Sequence, residues 1–332
     1  PISGWSPRSN GHHAAAVQVI DGIEAHLGPS PGSDPTAPPP VPEDEPGPRF
    51  GLVGGVYDTV ADPILETERQ SPTQMTLHRR LRERLERLAG DLVRAENSHR
   101  SLCREFQDYR RFADVDLDEL DVASLVSAGA GLEAMVAQFR DYDPAAAGTM
   151  TEPLEPELAA ALEALLGDHA RFVMGFEEGR DLVERRAEFR LYGEDLKDVR
   201  DRTEAVLAEF AARRHLWGEN AWGLIDGTLR ALREGAWTVR DIVETGAGLA
   251  VNGVVGIGRT LAPVLAKGAN RVATYGGTAW VASTLAGDPN MEAIRSAFTL
   301  FVEASRPFAA IAAGTEVHRF VTWLSDASRR AT

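Results

Sequence analysis

Three stretches of this chain repeat apolar residues at alternating steps of four and three, a spacing that dictates long helices packed side by side. The clearest runs through Leu81, Leu85, Leu88, Leu92, Ala95, His99, Leu102, Phe106 and Tyr109. A second follows Leu158, Leu162, Leu165, His169, Phe172, Phe176, Gly179 and Val183, and a third Leu196, Val199, Thr203, Val206, Phe210, Arg213 and Trp217. Residues so spaced return to one face of a helix and form the seam of a coiled coil. No proline falls between 157 and 262, so the second and third seams predict one very long helix, or two with a break near residues 191–193. About sixty helical residues at ~1.5 Å each span about 90 Å, which points to an elongated antiparallel bundle.

Proline and glycine punctuate the rest. Residues 29–48, PSPGSDPTAPPPVPEDEPGP, can neither coil into a helix nor pair in a sheet. Before them, Val17, Ile20, Ile23 and Leu27 stand at helical spacing, a short tethered helix that docks on its own body or on a neighbour. Pro144, Gly148, Pro153 and Pro156 mark a connection between the first two seams. Residues 220–243 are again amphipathic, and the tail over 291–328 is helical with interruptions at Pro307 and Gly314. No alternating strand run of useful length is visible. The expected fold is therefore all-α: a docking arm over 1–28, a linker over 29–50, a long helical bundle over 51–243, and a glycine-rich apolar hairpin with C-terminal helices over 244–332.

Charge and cysteine content exclude several function classes. With 35 basic and 50 acidic residues the net charge is -15, which repels a phosphate backbone and argues against general nucleic-acid binding. Cys103 is the single cysteine, so neither an intrachain disulfide nor a multi-cysteine zinc site is available. The first residues lack a basic start and an unbroken apolar core, because Gln18 and Asp21 interrupt it. The expectation is cytoplasmic synthesis without a classical signal peptide, followed by assembly into a particle or delivery to a membrane.

Near-matches to chemical motifs fail on particular residues. Gly253, Gly258, Arg259 and Thr260 fit a phosphate loop except that arginine replaces the lysine, and a planar guanidinium does not reproduce that compact charge. Glu96 and His99 have the spacing of a di-metal bundle ligand pair, but no second such pair is present. His99 and Cys103, four apart, share a helical face that could hold a metal only with partners from elsewhere. His99 and His169 read better as seam residues fixing register. In residues 114–121, DVDLDELD, Glu119 and Leu125 stand where a calcium loop needs glycine and glutamate, so an acidic helix start is the better reading. No catalytic motif, cofactor or metal site is assigned, and the expectation is a protein that is not an enzyme.

One anomaly stands out. Residues 245–287 contain no acidic residue, carry Arg259, Lys267 and Arg271, and concentrate glycine at 246, 248, 253, 256, 258, 268, 276 and 277. A glycine costs about 1 kcal/mol in a helix interior, so this many imply close packing against something. The candidate contact residues are Gly246, Gly248, Gly253, Gly256, Gly258, Ala262, Ala266, Gly276, Gly277 and Trp280. Pro263 and the cationic residues lie between uncharged runs of 14 and 16 residues, each shorter than the ~20 that span a bilayer. A helical hairpin with a basic tip at Arg259, Lys267 and Arg271 is the expected form. Over residues 77–290 this architecture is similar to that of the α-helical pore-forming toxins, a resemblance that implies a membrane-active effector, soluble until triggered. The favoured expectation is an interaction subunit of a larger assembly, a virion or injection machine, with protein partners or self-association. Membrane insertion through 245–287 is the alternative.

Overall fold

The computed structural model describes residues 47–62, 64–140, 153–188, 196–235 and 240–275. The chain divides into two units, Pro1–Pro38 and Pro39–Thr332, and every described residue belongs to the second. The short N-terminal helix, most of the proline-rich linker and the tail beyond residue 275 lie outside the described residues.

The described part is helical with one small sheet. In chain order it has strands β1 (Phe50–Val53) and β2 (Val56–Thr59), then helices α1 (Glu66–Arg69), α2 (Pro72–Ala95), α3 (Arg100–Ala113), α4 (Val122–Arg140), α5 (Pro156–Val173), α6 (Glu177–Glu188), α7 (Leu196–Ala211), α8 (Glu219–Glu234) and α9 (Arg240–Tyr275). A short 3-10 turn, Arg214–Leu216, precedes α8. The fold is all-α in class, but residues 50–59 are not the start of a helical bundle. They form an antiparallel hairpin in which Val53 faces Val56 across a Gly54–Gly55 turn. Both glycines have positive φ, +59° and +92°, the conformation that two-residue hairpin turns demand and other residues resist.

The first seam is buried as the spacing requires, yet it is not one helix. Leu81, Leu85, Leu88 and Leu92 line α2, the chain turns at residues 96–99, and Leu102, Phe106 and Tyr109 continue the stripe on α3. The break weighed near residues 191–193 lies outside the described residues, and the single very long helix that was the other expectation after residue 157 is absent. It is replaced by α5, α6, α7, α8 and the first part of α9. After the turn at residues 174–176 the buried position moves from the expected Val183 to Leu182, leaving Val183 exposed. Helix direction follows from the contacts. Gln74 meets Phe172 and Arg84 meets Asp168, so α2 and α5 are antiparallel; Ser101 pairs with Glu234 and Arg111 with the Glu219 carbonyl, so α3 and α8 are antiparallel too.

Two helices form the centre. From Val122 to Phe139, α4 is buried except at Glu133 and Gln138, and it touches α3, α5, α6, α8 and α9. Its start is set by Asp121, whose carboxylate accepts from the Ser124 backbone N–H at 3.0 Å and from its hydroxyl at 2.6 Å. The acidic run before it is thus engaged: Asp114 and Asp116 pair with Arg82, and Asp118 with Arg69. The second central helix is α9. It runs unbroken through Pro263 to Tyr275, so the turn expected at the cationic cluster does not occur there. Arg259, Lys267 and Arg271 lie along one helix instead of at a tip.

The turn gives a simple test of the hairpin. Gly55→Val should destabilise the protein by about 1–2 kcal/mol, the cost of forcing a Cβ into positive φ, whereas Gly54→Asn should be nearly neutral. Urea unfolding of both variants checks this.

Candidate functional site

Every residue of α9 from Ile242 to Gly258 is buried. A helix enclosed on all sides is expected to be apolar all round, and this one is also thin, because its glycines fall where neighbours cross it. Gly248, Asn252 and Gly256 recur every four residues along one face, and on that face lies the chain entering β1. A Cβ placed on Gly256 would sit 2.7 Å from the Phe50 carbonyl oxygen, and one on Gly47 would sit 3.6 Å from Asn252 Nδ2. Asn252, completely buried, donates from Nδ2 to the Pro48 carbonyl at 3.1 Å, satisfying an acceptor that the helix would otherwise strand away from water.

A second face receives α7. A Cβ on Gly246 would lie 3.1 Å from Thr203 Cγ2, and one on Gly253 would lie 2.5 Å from the Phe210 ring. Thr203 and Phe210 are seven apart, as are Gly246 and Gly253, so α7 and α9 run parallel along this contact. The Phe210 ring cannot give way easily. It packs on Trp217 with ring centroids 4.9 Å apart, and Trp217 Nε1 donates to the Phe210 carbonyl at 2.9 Å. Trp217 also meets Phe50 edge-on at 5.8 Å and Tyr57 at 5.9 Å, joining the hairpin to the end of α7. Burial pushes the Tyr57 phenol up to about 12, against a smaller opposing effect from the Thr260 side chain. Asp58 of β2 accepts from the Ala221 N–H at 2.8 Å and so caps α8, whose own N-cap is Gly218.

Of the residues expected from sequence, Gly246, Gly248, Gly253, Gly256, Gly258 and Ala262 are buried on α9, and Arg259 is half-buried. Ala266, Lys267 and Arg271 lie further along the same helix, while Gly276, Gly277 and Trp280 lie outside the described residues. The phosphate-loop resemblance ends here, since Gly253 to Thr260 is mid-helix and the Thr260 hydroxyl donates back to the Gly256 carbonyl at 3.2 Å.

Sequence reasoning missed α4 and the polar groups that hold it. Gly129 and Gly131 are two residues apart, so they face about 200° apart round the helix. The imidazole of His169 occupies the space beside Gly129, and its Nδ1 pairs with the Tyr109 hydroxyl at 3.1 Å. The carboxylate of Glu105 occupies the space beside Gly131, where a Cβ would lie 2.5 Å from Oε1. Glu105 belongs to a buried cluster around Arg230, whose guanidinium reaches Glu105 at 2.8 Å, Asp108 at 2.9 Å and Asp226 at 2.6 Å. Burial pushes the Glu105 carboxyl up to about 8; Arg230 opposes the shift and Asp108 and Asp226 add to it. The available signal was the pair of glycines inside an apolar run with no amphipathic period.

Three histidines are placed by ring contacts, and His169 of the second seam lies edge-on to Tyr109 at 5.4 Å. His99 is buried, edge-on to Phe139 at 4.9 Å, and His78, which the seams did not include, stacks on Phe172 at 5.4 Å. Burial, aided by Arg82, holds the His78 imidazole below its ordinary value. Cys103 donates its thiol to the Leu92 carbonyl, and burial raises its pKa. Among the described residues no group of three or more His, Cys, Asp or Glu side chains is placed to hold a metal ion.

Compared with known proteins, the chain matches no family model, no curated protein and no solved structure.

The contact between α7 and α9 carries a prediction. Gly253→Ala gains up to about 1 kcal/mol of helix propensity but overpacks against Phe210, a cost of about 1–3 kcal/mol, so it should destabilise. Gly90→Ala, mid-helix on α2 with open space around it, should stabilise by up to about 1 kcal/mol. Paired urea melts check the sign of each.

Proposed function

We propose that this chain is a non-enzymatic helical subunit of a larger assembly, of the kind that builds a virion or an injection machine. The observation that carries the reading is the junction of α1, α2, α5 and α6. Leu65 before α1, Met75 on α2, Met174 after α5 and Val183 on α6 are 50%, 55%, 44% and 43% exposed. Polar bonds tie these elements together: Glu68 accepts from the Glu177 N–H at 2.6 Å, and Gln74 donates to the Phe172 carbonyl at 3.3 Å while filling the space beside Gly175. Large apolar side chains held in water on a fixed frame suit a protein partner, and the two methionines adapt to its shape.

The described part of the glycine face is not the partner surface in this reading. Its close approach is met by Phe50, Thr203 and Phe210 of the same chain, so a partner has the exterior to work with. An elongated coiled-coil body, and a hairpin formed by α9 with residues beyond 275, belong to this proposal.

A second reading is a membrane-inserting effector. It is supported by α4, in which Val122–Phe139 is the one described helix long and apolar enough to cross a membrane, with mean hydropathy 1.4. That window is 89% buried, as the core helix of a water-soluble body also is. In this reading α4 stands beside the window 245–287, of which residues 276–287 lie outside the described residues.

Sedimentation and vesicle leakage separate the two. The assembly reading expects concentration-dependent association that Met75→Asp with Met174→Asp weakens at least about tenfold, the loss of roughly 1.4 kcal/mol, and no leakage of dye from neutral or anionic vesicles. A monomer at all concentrations that permeabilises vesicles reverses the order of the two readings.

A further inference from the structure

The central helix α4 is gripped from opposite faces by two ionisable side chains, each seated where a glycine leaves room. Both seats are polar groups inserted into an otherwise apolar surface. On the Gly129 side is His169, hydrogen-bonded to Tyr109, with the neighbouring buried Asp168 held by Arg80, Arg84 and Arg171. On the Gly131 side is Glu105, within a cluster of ion pairs.

The charged groups facing Glu105 come from two helices. On α3 they are Arg104 and Asp108, and on α8 Asp226 and Arg230; α4 presents Gly131, and α8 also offers Gly227, whose Cβ position lies 3.2 Å from Oε1. Arg104 pairs with Asp226 at 2.7 Å, and Arg230 with all three carboxylates. Within these ion pairs two guanidinium groups serve three carboxylates, and Arg100, Arg233 and Glu234 line the cleft beside them. The deepest carboxylate is the one least able to stay ionised: Glu105 is 2% exposed, against 17% for Asp108 and 24% for Asp226. Two glycines flank it and bring no side-chain donors.

We propose that the proton on Glu105 is a latch that keeps α4 seated, and that its loss loosens this helix from α3 and α8. With Glu105 neutral, α4 packs on an uncharged carboxyl group. With Glu105 ionised, a buried charge stands against the α4 backbone. Asp226 and Arg230 line an open cleft of about 490 Å³ between α3 and α8, which gives the proton a route to solvent.

The sign follows from linkage. The folded carboxyl, raised to about 8, binds its proton more tightly than the unfolded chain does. Its stabilising contribution is complete below the ordinary carboxylate value and is lost as pH rises through about 8. Acid therefore tightens this latch and mild alkali releases it, and the helix set free is the one described segment with the length and apolarity to enter a membrane.

Amide exchange in the full chain tests the latch. Protection factors over residues 122–139, corrected for intrinsic exchange, should fall by about tenfold per pH unit between about pH 6 and pH 8 in the wild type, the linkage of one proton. Glu105→Gln keeps the neutral shape and leaves Arg230 paired with Asp108 and Asp226, so its profile should be flat. A carbon-13 titration of the wild-type Glu105 carboxyl gives a second readout that needs no variant, with a midpoint expected near 8. A midpoint in the ordinary carboxylate range overturns the proposal, as does a Glu105→Gln profile with the wild-type slope. If the variant does not fold, the wild-type titration decides.

Discussion

A helix buried on every face can be crossed closely by its neighbours only where it has no side chains, and α9 obeys that constraint over its whole enclosed length. Its glycines are therefore a fixed pattern of contacts. Gly256 admits the backbone of β1, Gly246 admits Thr203, and Gly253 admits the edge of Phe210. Each glycine costs about 1 kcal/mol of helix propensity, which dispersion contacts with the close neighbour must offset. The hairpin, the end of α7 and the start of α8 all depend on this helix, since Trp217 touches Phe50, Tyr57 and Phe210 at once and Asp58 caps α8.

The other central helix, α4, uses small residues for a different end. Gly129 and Gly131 accommodate polar side chains, and so place an imidazole and a carboxylate in the core. A buried ion cluster of this type is weak evidence for stability, because desolvation consumes most of the attraction between its charges. It does fix how helices meet: Arg230 can reach Glu105, Asp108 and Asp226 together only in one arrangement of α3 and α8. Structure and proton binding are thereby linked beside the most apolar of the described helices.

Much of this was legible in the sequence, and the failures have physical reasons. The leucines of the first seam are buried because a four-and-three spacing returns residues to one face whether or not the helix is continuous, and for the same reason the pattern concealed the turn at residues 96–99. The second seam holds through Phe176 and Gly179, and only its last position fails, the next buried residue coming three positions on at Leu182 instead of four at Val183. The hairpin escaped notice because its strands are four residues each and their turn is two glycines. A period search cannot find α4, since a helix buried all round has no polar face. Composition pointed to close packing over the glycine-dense window but did not say what it met; in the described part Gly246, Gly253 and Gly256 lie against Thr203, Phe210 and Phe50. Pro263 misled by marking a turn where the helix continues.

The central claim is that the glycine face of α9 exists to accept side chains of the same chain, above all Phe210. A double-mutant cycle tests it directly: Gly253→Ala and Phe210→Leu, alone and together, compared by urea unfolding. If the ring and the missing Cβ occupy the same space, the smaller Phe210→Leu side chain relieves the crowding, and the double variant is more stable than the sum of the two losses by about 0.5–3 kcal/mol. Strict additivity, within about 0.3–0.5 kcal/mol, would mean that Gly253 and Phe210 do not meet, and the packing of α7 on α9 described above would be wrong.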